Sequence, residues 1–107
     1  MAAYLGEFEQ LVLLALARLG ADAYGIAIRD ELADHTARDV SIAAVYKTLW
    51  RLDEKGLVLS HVGEPTAVRG GRAKRVYRLS AAGRQALRAS LTTLRSLTRG
   101  LEGLVSE

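Results

Sequence analysis

The chain has 107 residues, half of them hydrophobic and none of them cysteine. That is the size of one domain with one modest core, and it excludes a disulfide framework and any thiolate metal site. The net charge of +3 is the remainder of a strong asymmetry: residues 1–65 carry six Lys/Arg against ten Asp/Glu, and residues 66–107 carry nine against two.

Such segregation points to a polyanionic partner, nucleic acid first, with a solvated basic face as the plainer reading. The opening MAAYLGEFEQ has no cationic stretch ahead of an apolar one, so it does not read as a secretion signal. The longest apolar run, Leu11 to Ala17, is too short to cross a bilayer. A cytoplasmic location without membrane contact is the expectation.

A first helix is predicted over residues 7–19, where Phe8, Leu11, Val12, Ala15, Leu16 and Leu19 recur at spacings of three and four. Gly20 follows as its C-terminal cap. A second helix is predicted over residues 23–34, with Asp22 as N-cap and Tyr24, Ile28 and Leu32 as its stripe. Gly25 weakens that helix and is expected to allow a close helix approach.

The third helix has the clearest limits, from the N-cap Ser41 to the stop at Gly56. Ile42, Val45, Leu49 and Leu52 form its buried stripe. Ala43, Tyr46, Lys47 and Trp50 form an outer one, bordered by Arg51.

After Gly56 the periodicity changes to alternation in LVLSHV and again in KRVYRL, which read as two strands. The loop between them holds Pro65 and the glycines of a hairpin. Its end, RGGRAKRVYRL, has five cations in residues 69–79 and no acid. Ser80 is the expected N-cap of a last helix, in which Leu87, Leu91, Leu94, Thr98, Leu101 and Val105 make a heptad seam. Leu97 and Leu104 widen it.

The fold class that follows is mainly α with a small β-hairpin. Three helices and a hairpin, in that order, are the order of a winged helix-turn-helix. In that architecture the third helix enters the major groove and the hairpin, the wing, lies on the neighbouring backbone or minor groove. Small Ala43 and Ala44 permit close approach to DNA, while Ser41, Tyr46 and Lys47 supply hydrogen bonds to phosphates or bases. Arg51 is a further candidate, with surface pairing to Asp53, Glu54 or Asp30 as its rival role. Arg69, Arg72, Lys74 and Arg75 of the wing are expected to meet phosphates.

Three stretches carry a resemblance to the PadR-like transcriptional regulators. LGEFEQLVLLALARLGADAYGIAIRDEL looks like the family's first two helices, with its Tyr-Gly pair at Tyr24 and Gly25. SIAAVYKTLWRLDEKGLV is similar to its recognition helix, in Tyr46, Leu49, Arg51-Leu52-Asp53 and Gly56-Leu57. GGRAKRVYRLSAAGRQAL resembles its wing strand and the start of the next helix, including Tyr77 and Gly83. The resemblance implies a homodimeric regulator, usually a repressor, bound to a pseudo-palindromic operator on double-stranded DNA and open to release by a small-molecule effector. It also implies pairing through the C-terminal helix against the partner's N-terminal helix, which adds Phe8 and Leu11 to the seam as dimer-interface candidates.

Residues 1–79 are thus expected to form the DNA-binding domain and residues 80–107 a dimerisation helix of the short subclass. Some short members hold flat aromatic compounds with a tryptophan in the last helix; here that helix has no aromatic residue. The lone Trp50 is expected to pack under the wing, with a backbone contact as the alternative. Arg84, Arg88, Arg95 and Arg99 read as a solvated face beside the seam, or as partners of Glu7 and Glu9 in the second subunit.

His35 and His61, without cysteine or a carboxylate cluster at ligand spacing, make no metal site. No cofactor is expected. No nucleophile-and-base arrangement or phosphate-cradling glycine loop supports an enzyme. A winged-helix adaptor that dimerises without binding DNA, and a sensor whose main task is ligand capture, stay open as other readings.

Overall fold

The computed structural model of the protein describes residues 5–63 and 74–105. Helix α1 spans Glu7–Leu19 and ends in a 3-10 turn, Gly20–Asp22; α2 spans Gly25–Thr36 and α3 spans Ile42–Glu54. Strand β1 (Val58–Val62) and strand β2 (Arg75–Leu79) follow, then α4 (Ala81–Thr98) and a one-turn α5 (Glu102–Val105).

The three leading helices close around one core because each presents an apolar stripe. Val12, Leu13, Ala15 and Leu16 of α1 meet Ile28 and Leu32 of α2 and Val45, Leu49 and Leu52 of α3. Leu57 and Val58 at the start of the hairpin and Ala86 and Leu87 of α4 complete it. Burying a side chain of this size contributes about 1.5–3 kcal/mol. Helix α1 starts where the Gly6 N–H donates to the Glu9 carboxylate at 2.9 Å, and Gly20 ends it in the left-handed half of φ, at 59°.

Helix α2 begins two residues later than its pattern suggests, and Tyr24, not Asp22, is its N-cap. The reason is a long-range pairing. The Tyr77 N–H donates to the Ala23 carbonyl at 2.8 Å, and Tyr24 forms a bridge with Val76. That holds Tyr24 extended beside β2, with Ala23 in a tight turn closed by the Tyr24 N–H on the Asp22 carbonyl at 3.0 Å, so the helix cannot start until Gly25. Asp22 is left in the preceding 3-10 turn.

Strands β1 and β2 pair antiparallel, with Ser60 opposite Tyr77. Ser80 then joins hairpin and α4. Its hydroxyl accepts from the Gly83 N–H at 2.9 Å and donates to the Gly56 carbonyl at 2.7 Å. Gly83 packs so closely that a Cβ there would collide with the Leu57 carbonyl.

Leu87, expected in the outer seam, is buried in the protomer's own core, and Phe8 and Leu11 pack partly against that core. Beyond Leu87 the last helix leaves the core: every residue from Leu91 to Leu104 is exposed. The single long helix expected to the C-terminus is broken. Arg99 is extended and Gly100 takes φ +86°, a conformation that glycine adopts at little cost. The Gly100 N–H is taken by the Glu102 carboxylate at 3.1 Å. Leu101 and Val105 therefore lie past a turn and do not continue the α4 seam. Among the described residues no helix is long and apolar enough to cross a membrane.

Candidate nucleic-acid interface

Helix α3 carries the outer stripe. The Ser41 hydroxyl caps the helix by accepting from the Ala44 N–H at 3.1 Å, which fixes where its first turn begins. Because Val45, Thr48, Leu49 and Leu52 are buried, the helical period turns Ala43, Tyr46, Lys47 and Trp50 outward, and all four are exposed. Ser41 is exposed as well, and Ala44 is half-buried at the margin.

Trp50 does not pack under the wing as the sequence suggests; it is 65% exposed. Its position one turn beyond Tyr46 on the outward side of α3 accounts for this.

Ion pairing separates structural cations from available ones. Arg38 pairs with Glu7 at 2.6 Å, Lys55 with Glu9 at 2.7 Å, Arg18 with Glu31 at 2.5 Å, and Arg29 with Asp30 at 2.9 Å. In residues 5–63 that leaves Lys47 and Arg51, both on α3, with no ion pair among the described residues. The surface pairs expected for Arg51 with Asp53, Glu54 or Asp30 do not form. Glu7 and Glu9 likewise pair within the chain.

These pairs also set the carboxylates. Burial pushes the Glu9 carboxyl up, but hydrogen bonds from the Lys55 ammonium and the Gly6 N–H outweigh it and hold it below its usual value. The Arg18 guanidinium lowers Glu31 in the same way, aided by His35 at 3.0 Å. Burial raises the Tyr77 phenol, and the nearby Tyr46 and Asp53 act in the same direction against Arg75.

The base of the wing meets this helix at two consecutive residues. The Lys74 ammonium stands 4.0 Å from the centre of the Tyr24 ring. The Tyr46 phenol lies against Gly25, where a Cβ would collide with its hydroxyl. The close approach expected at Gly25 is therefore made by a side chain of α3. Arg75 donates to the Ser60 hydroxyl at 3.1 Å across the hairpin. Arg69 and Arg72, the other expected wing cations, lie outside the described residues.

Of the dimer-seam candidates, Leu91, Leu94, Thr98 and Leu101 are exposed, and the side chain of Val105 is outside the description. Arg84, Arg88 and Arg95 flank a shallow groove floored by Leu79, Leu87 and Leu91. No group of three or more metal-ligating side chains occurs among the described residues.

Comparison with known proteins agrees with this geometry. The model of the transcriptional regulator PadR-like family matches residues 12–89. A Mycobacterium tuberculosis protein named Transcriptional regulator Rv3488 is 39% identical over 82 residues, covering 77% of this chain and 72% of its own. Among solved structures, a PadR family transcription regulator from hypervirulent Clostridium difficile superposes with a TM-score of 0.74 at 22% identity, covering 94% of this chain and all of that one. One from Eggerthella lenta gives 0.66 at 27% identity, over 94% of this chain and 87% of that one.

Proposed function

Because the chain belongs to the PadR-like family of transcriptional regulators, we propose that it is a repressor that binds a pseudo-palindromic operator as a homodimer. Helix α3 enters the major groove, with Ala43 and Ala44 allowing close approach and Ser41, Tyr46, Lys47 and Arg51 reaching bases or phosphates. Lys74 and Arg75, with Arg69 and Arg72, neutralise phosphates beside it. The working location is the cytoplasm, where the DNA lies.

The observation that carries this reading is the charge sorting. Four cations of residues 5–63 are tied to acids, and the two left over are both on α3. A helix that served only as a packing element would have no use for them. An adaptor surface would be apolar or acidic in this place.

Dimerisation would use the exposed leucines of α4, Leu91, Leu94 and Leu97. Two copies would then present two α3 helices about one helical turn apart on the duplex. An effector would act by favouring one spacing of those helices over the other; equal affinity for both would change nothing.

Fluorescence polarisation on duplexes selected from the host genome tests the reading. Binding should fall steeply between low and moderate salt. Replacing Lys47, Lys74 and Arg75 together by Ala should weaken binding to all sequences and flatten the salt slope by about three contacts, at roughly 0.9 each. Wild-type protein that binds no duplex, or binds with no salt dependence, would exclude the proposal.

A further inference from the structure

The sequence places Tyr24 in the stripe of α2 and in the Tyr-Gly pair that carries the family resemblance, and none of the DNA contacts proposed above includes it. Its placement is unusual for a helix N-cap. It is a half-buried aromatic residue, and its side chain makes no capping hydrogen bond. Its carbonyl opens α2 by accepting from the Ile28 N–H at 2.9 Å. Its backbone bridges to Val76 of β2, and its ring lies under the Lys74 ammonium at 4.0 Å.

The neighbouring residues fix that arrangement from both sides. Ala23 accepts from the Tyr77 N–H, and the Lys74 carbonyl accepts from the Gly63 N–H at 2.7 Å. Gly25 lies against the Tyr46 phenol. One dipeptide therefore touches the residue that leads into the returning wing strand on one side and the outer stripe of α3 on the other.

We propose that Tyr24 is a positioning residue for the wing, whose ring holds the Lys74 ammonium in register with helix α3 before DNA arrives. This rests on the DNA-binding reading above. A lysine side chain gives up considerable rotamer freedom when it is fixed against a phosphate. An ammonium already parked on an aromatic face has given up part of it in the free protein. The contact depends on the face of the ring and not on the phenol hydroxyl, so phenylalanine is an adequate replacement and leucine is not.

Two measurements test this, one of them without DNA. In the NMR spectrum of the free wild-type protein, the ε-methylene protons of Lys74 should lie upfield of those of Lys47 and Lys55, owing to the ring current. They should stay there in Tyr24→Phe and return to the ordinary position in Tyr24→Leu. In polarisation assays on a genome-selected duplex, Tyr24→Leu should bind about two- to five-fold more weakly, the effect of the part of the lysine's rotamer freedom that the ring had already taken up. Its salt slope should be unchanged, because Lys74 still reaches its phosphate.

Lys74→Ala should lower the slope by about 0.9, and adding Tyr24→Leu to it should cost nothing more. Unshifted Lys74 protons in the wild-type protein overturn the proposal outright, whether or not Tyr24→Leu folds. So do additive losses in the double variant, or a Tyr24→Phe protein as weak as Tyr24→Leu. Wild-type protein that binds no duplex defeats the regulator reading instead, and leaves the spectrum to decide the ring contact separately.

Discussion

Gly25 is the residue on which the geometry of the site turns most visibly. Its missing side chain is filled by the Tyr46 phenol, so the position of an α3 side chain depends on an α2 glycine. Replacing Gly25 by Ala should change the melting temperature little, because only the far end of a side chain must yield. The same change should push Tyr46 out of place and weaken operator binding several-fold in a polarisation assay. Unaltered affinity would mean that Tyr46 takes no part. Glycine can be recognised in a sequence, but the tyrosine that fills its vacant space cannot, because the two are brought together only by the crossing of α2 and α3.

At the scale of elements, what was legible followed how local the determinants are. Helices α1 and α3 have their stripes, caps and stops within their own residues, and their limits follow from the pattern. The start of α2 does not, because Ala23 and Tyr24 are held by pairing to β2, more than fifty positions away. The break after α4 was hidden for a different reason. Leucine spacing runs on through Leu97, Leu101 and Leu104 regardless of Gly100, whose positive φ ends the helix. The helical period puts Trp50 on the outer stripe, but whether the wing covers it depends on how hairpin and helix are set against each other, which no local pattern carries.

The C-terminal arm carries a prediction at the same scale. Leu94 is 48% exposed and Leu97 69% exposed, on a helix that has already left the core. Leu94→Glu places a charge where a second copy would pack, and should turn dimers into monomers by sedimentation velocity. Because Leu94 is not in the protomer core, the melting of the monomer should change by no more than a typical surface substitution, about 0.5 kcal/mol. Dimers that persist would remove α4 from the proposed interface.

For the whole molecule, the ion pairs explain both the sorting of charge and a pH dependence. Glu9 binds Lys55 and Glu7 binds Arg38 across separations of 46 and 31 residues, so no reading of neighbouring positions would find them. They hold α1 against α3 and against the segment that leads into it. The Glu9 and Glu31 carboxyls are lowered from an ordinary value of 4.5 in the folded protein. Their contribution is thus fully present above about pH 4.5 and is lost as the pH falls through the lower folded values. Thermal melts should show stability declining through that acid window, with a shallower decline in Glu9→Gln. An equally steep decline in that variant would remove Glu9 from the account.

The claim on which all of this depends is that the outer side of α3 and the base of the wing face one duplex. The most direct measurement is an amide chemical-shift map of the labelled protein titrated with its operator. The account predicts that Ser41, Ala43, Tyr46, Lys47 and Trp50 respond together with Lys74 and Arg75, while the exposed end of α4 does not. Changes confined to α4, or to the wing with α3 silent, would contradict it.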